Sequence, residues 1–123
     1  KVVVFNNSTL GMVKLEMLVN GLPDFQTDVP DTNYAEIARA IGFHAERVED
    51  ASRLEGAYRE AFAAPGPALV EVITDPNALS LPPAITGGQV VGFATAMSKI
   101  VLNRGIAEAF SMATSNMRNI PRL

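Results

Sequence analysis

The residues best suited to chemistry follow the first apolar stretch of the chain. Val2–Phe5 is a run of β-branched and aromatic residues, Asn6, Asn7 and Ser8 come directly after it, and Gly11 follows three residues later. This order predicts a buried strand that ends in a polar loop, where ligands bind in open α/β sheets. Asn carboxamides and backbone carbonyl groups are oxygen ligands that suit Mg²⁺, so the loop is a candidate metal site. The alternative is a simple turn, because Asn and Ser side chains bond their own backbone in turns.

Other chemically active side chains are few. The sequence has no cysteine, which excludes disulfides and thiol catalysis, and His44 is its single histidine. No acid or nucleophile accompanies His44 at a spacing typical of catalysis, so we assign it no role. Glu16, Glu36 and Glu71 are interpreted as exposed or paired charges.

Helical and strand patterns alternate after this loop. Apolar residues at helical spacing predict a helix over Met12–Val19 that Asn20 and Gly21 end, and Leu22–Thr32 reads as a surface loop. The later predicted elements are a helix capped at Thr32 or Asn33 and ended by Gly42, a strand over Phe43–Val48, a helix over Ala51–Ala64 and a strand over Ala68–Ile73. Their order favours an α/β fold, part of a mostly parallel sheet flanked by helices.

Two of these helices carry apolar faces that should meet the sheet. The face of the first is Ile37, Ala38 and Ile41. Ser52 is the predicted cap of the second, and its inner face should consist of Leu54, Ala57, Tyr58, Ala61 and Phe62.

Charge is distributed unevenly along the chain. Residues 1–75 contain six Lys or Arg against twelve Asp or Glu, whereas residues 76–123 contain four against one. Phosphate binding requires clustered positive charge, so the acidic body predicts no nucleic-acid partner.

The basic C-terminal part begins with a Pro- and Gly-rich stretch, which predicts a surface linker. Two amphipathic helices are expected after it. The first carries Val90, Phe93, Ala94, Met97, Ile100 and Val101 and ends at Asn103-Arg104-Gly105, and the second carries Ile106, Phe110, Ala113 and Met117. Two interpretations stay open: both helices dock on protein, or the second lies on a membrane surface with its flanking arginines against anionic lipid.

The stretch NNSTLGMV after an apolar strand resembles the second half of the thiamine diphosphate motif in the pyruvate oxidase and acetohydroxyacid synthase family. The resemblance implies that Asn7 gives a side-chain oxygen, and Thr9 a backbone carbonyl oxygen, to Mg²⁺. It also implies that Met12 faces the reaction centre. The residues expected to line the diphosphate are Ser8, Leu10 and Gly11.

The resemblance extends along the chain. GPALVEV, residues 66–72, is similar to a closing strand of the family's domain, and the Gly-Asp-Gly half of the motif is expected before Lys1, so the chain is interpreted as a fragment. The predicted segments are 1–75, the C-terminal part of a thiamine diphosphate- and Mg²⁺-binding domain; 76–88, a linker; and 89–123, an amphipathic tail that inhibits the enzyme at rest and binds membrane.

The tail is similar to that of quinone-dependent pyruvate oxidases. This implies oxidative decarboxylation of pyruvate to acetate and CO₂, with electrons passing through FAD, bound mostly outside this chain, to a membrane quinone. It further implies a homotetramer in the cytoplasm, held peripherally on the inner face of the cell membrane. The residues expected to bind the phospholipid surface are Phe93, Met97, Ile106, Phe110, Met117, Arg118 and Arg122.

Met12 departs from that pattern. The oxidases carry a Phe at this position that assists electron transfer, whereas acetohydroxyacid synthases commonly carry Met, and a thioether can pack in the same space. The alternatives are therefore an acetohydroxyacid synthase or, for the isolated chain, a non-catalytic lipid-binding module.

Overall fold

The computed structural model describes residues 1–79 and 84–117. Its elements are β1 (Val2–Asn6), α1 (Gly11–Val19), α2 (Tyr34–Ala40), β2 (His44–Val48), a 3₁₀ turn (Ala51–Arg53), α3 (Leu54–Ala63), β3 (Ala68–Ile73), α4 (Gly87–Arg104) and α5 (Ile106–Asn116). The chain forms two compact units. The first unit contains Lys1–Ser8 and Pro30–Thr74, and the second contains Thr9–Val29 and the described residues after Thr74.

A parallel sheet organises the first unit. Its three strands lie in the order β1-β3-β2, and both pairs are parallel. Glu71 of β3 lies opposite Val4 of β1 and Arg47 of β2. Apolar residues of β2, α3 and β3 form the core: Val48, Ala57, Ala61, Ala68, Val70 and Val72. The predicted α/β class with a parallel sheet flanked by helices is confirmed.

The first strand differs from the prediction of a buried strand. Val2, Val3 and Phe5 are 45%, 39% and 69% exposed, and only Asn6 at its end is buried. The cause is the position of β1 at the edge of the sheet, where β3 is its only neighbour among the described strands. Apolar β-branched composition predicted the strand, but the central place belongs to β3.

The helices of the first unit confirm one predicted cap and correct another. Asn33 caps α2, because its Oδ1 accepts from the Glu36 N–H at 2.9 Å. The second cap is Asp50 rather than Ser52: Asp50 Oδ1 accepts from the Ser52 N–H at 2.9 Å. This bond opens the 3₁₀ turn that precedes α3.

The inner faces of these helices are narrower than predicted. Small residues make the close contacts: Ala35 and Ala38 are buried on α2, and Ala57 and Ala61 on α3. Three large residues assigned to inner faces are exposed instead, namely Ile37, Ile41 and Phe62. Alanines let a helix approach a sheet closely, and the larger side chains then lie at its margins.

Packing of α1, α4 and α5 organises the second unit. The buried core consists of Leu15, Leu18, Leu79, Ala96, Ile100 and Met112, and Phe93 and Met97 pack against it partly buried. Helix α4 begins at Gly87, inside the stretch predicted as a linker, because Thr86 and Gln89 form a capping box. It ends before Gly105 (φ +96°), as predicted.

Helix α5 turns a different face inward from the one its sequence pattern suggested. Met112 and Asn116 are buried, and Ala109 packs against the core. The apolar stripe predicted from spacing is exposed: Ile106, Phe110 and Met117 are 73%, 68% and 68% accessible. Asn116 replaces an apolar residue inside because it bonds backbone. Its Oδ1 accepts from the Leu79 N–H at 2.8 Å, and its Nδ2 donates to the Asn77 carbonyl at 2.7 Å.

Candidate cofactor site

The loop after β1 is held by the side chain of Asn6. Its Nδ2 donates to Glu71 Oε1 at 2.7 Å and to the Thr32 carbonyl oxygen at 3.1 Å. Its Oδ1 accepts from the Ser8 N–H at 3.0 Å, which closes an Asx turn around Asn7. Ser8 has a φ of +50°, a left-handed conformation that non-glycine residues adopt rarely. Asn6 therefore connects the turn to β3 and to the segment before α2.

The sequence interpretation placed Glu71 among exposed or paired charges. It is paired but completely buried, whereas Glu16 and Glu36 are exposed. Besides the bond from Asn6, Glu71 Oε2 accepts from the Ala35 N–H at 3.0 Å, and Oε1 accepts from Arg47 Nη1 at 3.2 Å. The sequence signal for this burial was an acidic residue flanked by valines in an apolar strand. A carboxylate in such a strand requires hydrogen-bond partners inside the protein.

Arg47 compensates the buried charge of Glu71 and reaches the surface. Its guanidinium also bonds Asp31 at 2.9 Å and Glu49 at 3.0 Å, where both carboxylates are largely exposed. The hydrogen bond to Asp31 is the largest cause that raises the pKa of Arg47 above its ordinary value, and the bond to Glu49 is the next. Arg47 therefore stays cationic, and the carboxylate beneath it has a permanent counterion.

The two asparagines of the loop differ in their surroundings. Asn6 is buried, and both its donors and its acceptor are engaged with the protein, so its role is structural. Asn7 and Ser8 are half-buried. The metal-binding role expected for Asn7 stays a prediction.

The remaining residues of the motif lie in the second unit. Thr9 is buried, and its Oγ1 donates to the Thr27 carbonyl oxygen at 3.1 Å. The Leu10 N–H donates to the same oxygen at 2.7 Å, so its amide is already used, and its side chain is exposed. Gly11 is half-buried and begins α1.

The N-terminus of α1 suits an anion. Its N-cap residue, Leu10, makes no side-chain cap hydrogen bond, and its first turn contains no acidic residue. The positive end of a helix favours phosphate groups, since its first N–H groups lack partners within the helix. Natural helices usually compensate this end with a capping side chain or an acid.

Met12 lies on the outer surface of α1. Its side chain is 65% exposed and borders an open groove of about 550 Å³. The other residues of the groove are Val13, Glu16, Met17, Asn20 and Leu22. Its contact with a reaction centre stays a prediction; the side chain is accessible, as that role requires.

The donor chemistry of the loop fits Mg²⁺ delivered with a diphosphate. Among residues 1–79 and 84–117, no cluster of His, Cys, Asp and Glu is arranged to hold a metal ion by itself. The candidate ligands Asn7 and Thr9 supply neutral amide and carbonyl oxygens. Mg²⁺ typically combines few protein ligands with phosphate oxygens and water, so neutral donors suffice when a diphosphate brings the negative charge.

The residues predicted to bind membrane lie in two different environments. Phe93 and Met97 pack against the core of the second unit, whereas Ile106, Phe110 and Met117 are exposed. Arg118 and Arg122 lie outside the described residues. In the described part of the chain, no helix is both long and apolar enough to cross a membrane.

The tail arginine that the structure describes is engaged in ion pairs. Arg104 Nη1 contacts Asp24 Oδ1 at 3.0 Å and Glu108 Oε1 at 3.0 Å. The hydrogen bond to Glu108 is the largest cause that raises the pKa of Arg104 above its ordinary value. The charge of Arg104 is therefore partly neutralised by these two carboxylates.

His44 is exposed on β2, and nothing in its surroundings assigns it a role.

A parallel sheet with a polar turn after its first strand is the arrangement in which open α/β sheets bind ligands. Residues 1–72 match the family described as thiamine pyrophosphate enzyme, C-terminal TPP binding domain, and the chain belongs to this family. Its relatives include "Putative thiamine pyrophosphate-containing protein YdaP" of Bacillus subtilis (strain 168), 37% identical over 98 residues, which is 80% of this chain and 17% of the relative.

A second relative is acetolactate synthase large subunit IlvG of Mycobacterium tuberculosis (strain ATCC 25618 / H37Rv). It is 38% identical over 76 residues, 61% of this chain and 14% of the relative. The chain thus spans less than a fifth of the length of either relative. The alignment with YdaP covers more residues than the 72 of the family match, so it includes part of the chain beyond the cofactor domain.

Proposed function

We propose that this chain is the C-terminal part of a thiamine diphosphate-dependent pyruvate oxidase that passes electrons through FAD to a membrane quinone. Its reaction converts pyruvate, water and quinone to acetate, CO₂ and quinol. Family membership gives the thiamine diphosphate-dependent enzyme class. The observation that carries the finer proposal is the apolar stripe of α5, where Ile106, Phe110 and Met117 face outward although the same helix buries Met112.

In this proposal the residues after β1 hold the cofactor. Asn7 gives its side-chain oxygen and Thr9 its backbone carbonyl oxygen to Mg²⁺, and Ser8, Leu10 and Gly11 line the diphosphate. The uncapped start of α1 supports the diphosphate assignment for Gly11. Thiamine diphosphate, when bound, supplies the carbon chemistry, and the protein supplies its position. The FAD site lies mostly outside this chain.

The exposed stripe supports a lipid-facing role for the tail. A helix with apolar side chains on its outer face gains free energy when that face enters the boundary between headgroups and acyl chains. Arginines at its flanks add attraction to anionic lipid. The enzyme is then a homotetramer in the cytoplasm, peripheral on the inner face of the cell membrane, and lipid releases the inhibition that the tail exerts at rest.

Acceptor reduction tests the activity directly. The full-length enzyme with Mg²⁺, thiamine diphosphate and FAD is given pyruvate and an artificial electron acceptor, with and without anionic phospholipid vesicles. We expect pyruvate-dependent reduction that rises with lipid, and a loss of this rise in Phe110→Ser. Acetolactate formation without acceptor reduction would reject the oxidase proposal.

Cofactor binding is tested separately from activity. Asn7→Ala in the full-length enzyme should weaken the affinity for Mg²⁺ and thiamine diphosphate by about tenfold or more, because a metal ligand is lost. Asn103→Ala, at an exposed position near the end of α4, is the matched control. Equal affinities of the two variants would remove Asn7 from the site.

A second candidate is an acetolactate synthase, which joins two 2-keto acids without net oxidation. Two observations favour it: the 38% identity with IlvG, and Met12, which acetohydroxyacid synthases commonly carry where oxidases carry Phe. The acceptor assay separates the two candidates, because only the oxidase transfers electrons out of the reaction.

A further inference from the structure

The buried carboxylate of Glu71 is not used by the proposed chemistry, yet it connects to the cofactor loop. It is completely buried and accepts hydrogen bonds from Asn6, Ala35 and Arg47. Buried ion pairs often contribute no more stability than well-packed apolar residues of the same volume. Stability alone therefore does not account for a charged residue in the middle of β3.

The sheet register brings Glu71 and Asn6 together. Glu71 lies opposite Val4 on β1, and Asn6 follows Val4 by two residues. Side chains two residues apart project from the same face of a strand, so Asn6 extends over the sheet on the same face as Glu71. The 2.7 Å bond from Asn6 Nδ2 to Glu71 Oε1 results.

This bond determines the orientation of the Asn6 carboxamide. An ionised carboxylate only accepts hydrogen bonds, and the Thr32 carbonyl oxygen also only accepts. Both therefore require the NH₂ group of Asn6, which bonds them at 2.7 and 3.1 Å. The Oδ1 atom is then turned to the Ser8 N–H at 3.0 Å, and the turn around Asn7 closes.

We infer that Glu71 is a positioning residue for Asn7: through Asn6 it fixes the turn that presents the Asn7 side chain to Mg²⁺. The inference rests on the proposed cofactor site. Arg47 belongs to the same network, because its Nη1 donates to Glu71 Oε1 at 3.2 Å, the oxygen that also accepts from Asn6. A Gln at position 71 has nearly the same shape but a single acceptor oxygen, so it cannot serve the Asn6 and Arg47 donors and the Ala35 N–H together, which would weaken the hold on Asn6 and loosen the turn.

Glu71→Gln in the full-length enzyme is the test, with Glu60→Gln at an exposed position of α3 as the matched control. We expect the affinity for Mg²⁺ with thiamine diphosphate to fall by about 10- to 100-fold in Glu71→Gln, as for other partners that orient metal ligands. In the cofactor-free enzyme, hydrogen exchange of the peptide spanning residues 6–9 should become faster. Affinity and exchange equal to those of the control would overturn the inference.

A double variant separates a positioning role from a general structural one. If Glu71 acts through Asn7, Glu71→Gln should cost little further affinity once Asn7 is already Ala. If the affinity loss of the double variant equals the product of the two single losses, Glu71 acts independently of Asn7, and the inference is overturned. If Asn7→Ala alone leaves the affinity unchanged, the proposed metal site itself fails. That result concerns the site and is independent of any variant at Glu71.

If the Glu71→Gln variant does not fold, Asn6→Ala tests the same inference. This variant removes the connection but keeps the ion pair between Arg47 and Glu71. We expect it to weaken the same affinity by about tenfold and to speed exchange of the same peptide. An Asn6→Ala enzyme with the affinity of the control would overturn the inference.

Discussion

Gly92 of α4 lies directly against the backbone of Val19 at the end of α1: a Cβ atom on Gly92 would be 1.8 Å from the Val19 carbonyl oxygen. No real Cβ tolerates this distance, and the obstacle is backbone rather than a flexible side chain. The absence of a side chain at residue 92 is thus a condition for the packing of α1 with α4.

Gly92→Ala should destabilise the second unit. The added methyl group forces the helices apart, and overpacking of this kind costs about 1–3 kcal/mol or more. Gly88→Ala is the control, because it lies in the same helix with nothing within 4 Å of the added Cβ. The thermal unfolding midpoint of the full-length protein should fall only in Gly92→Ala; a common midpoint would show that the helices are not in this contact.

Glu71→Ala should destabilise the protein far more than removal of a surface partner. It leaves the Asn6 NH₂ group and the Ala35 N–H without their buried acceptor, at about 1–3 kcal/mol for each unsatisfied group, and Arg47 keeps its pairs with Asp31 and Glu49. Glu55→Ala breaks the exposed pair with Arg59, which is worth about 0–1 kcal/mol. Urea unfolding of both variants measures the difference, and similar midpoints would contradict the buried network.

Asn116→Ala should loosen α5. The Leu79 N–H and the Asn77 carbonyl oxygen would lose their partner, at about 1–3 kcal/mol for unsatisfied buried groups. Hydrogen exchange of the peptide spanning residues 106–117 should accelerate, whereas Asn103→Ala should leave it unchanged. Slow exchange in both variants would show that the Asn116 contacts contribute nothing.

Asp50 should make the stability of the 3₁₀ turn before α3 depend on pH. The Ser52 backbone N–H, and then its side chain, lower the pKa of Asp50 below its ordinary value. A lowered folded-state pKa adds stability above the unfolded pKa of about 3.9, and this stability is lost as the pH falls through the folded value. Asp50→Ala should therefore be less stable than the parent at pH 7, and the two should converge below about pH 4. A constant difference across this range would exclude the carboxylate as its source.

Local sequence signals predicted the elements well. Strand and helix patterns gave the order of β1, α1, α2, β2, α3 and β3, Asn33 acts as a cap, and Gly105 follows the end of α4 as expected. These features depend on residues a few positions apart. The family resemblance was strongest in one short stretch, Asn6–Val13, and the match over residues 1–72 confirms the thiamine pyrophosphate enzyme family.

The burial of several residues was not predicted because it depends on contacts between distant parts of the chain. The exposure of Phe5 follows from the edge position of β1, which depends on β3 more than sixty residues later. On α5, the apolar spacing marked one face, but Asn116 could be buried because Asn77 and Leu79 supply backbone partners. The partners of Glu71 come from β1, β2 and α2, so its burial could not be read from its neighbours in sequence.

The central place of β3 also limits when this protein can fold during its synthesis. Both strand pairs in the described residues include β3, so neither of these two parallel ladders forms until the ribosome has delivered residues 68–73. Until then β1 and β2 are nascent segments with unpaired backbone, and exposed strands of that kind are prone to aggregation. Chaperone occupancy of the growing chain should therefore be highest before β3 emerges and fall once it has left the exit tunnel.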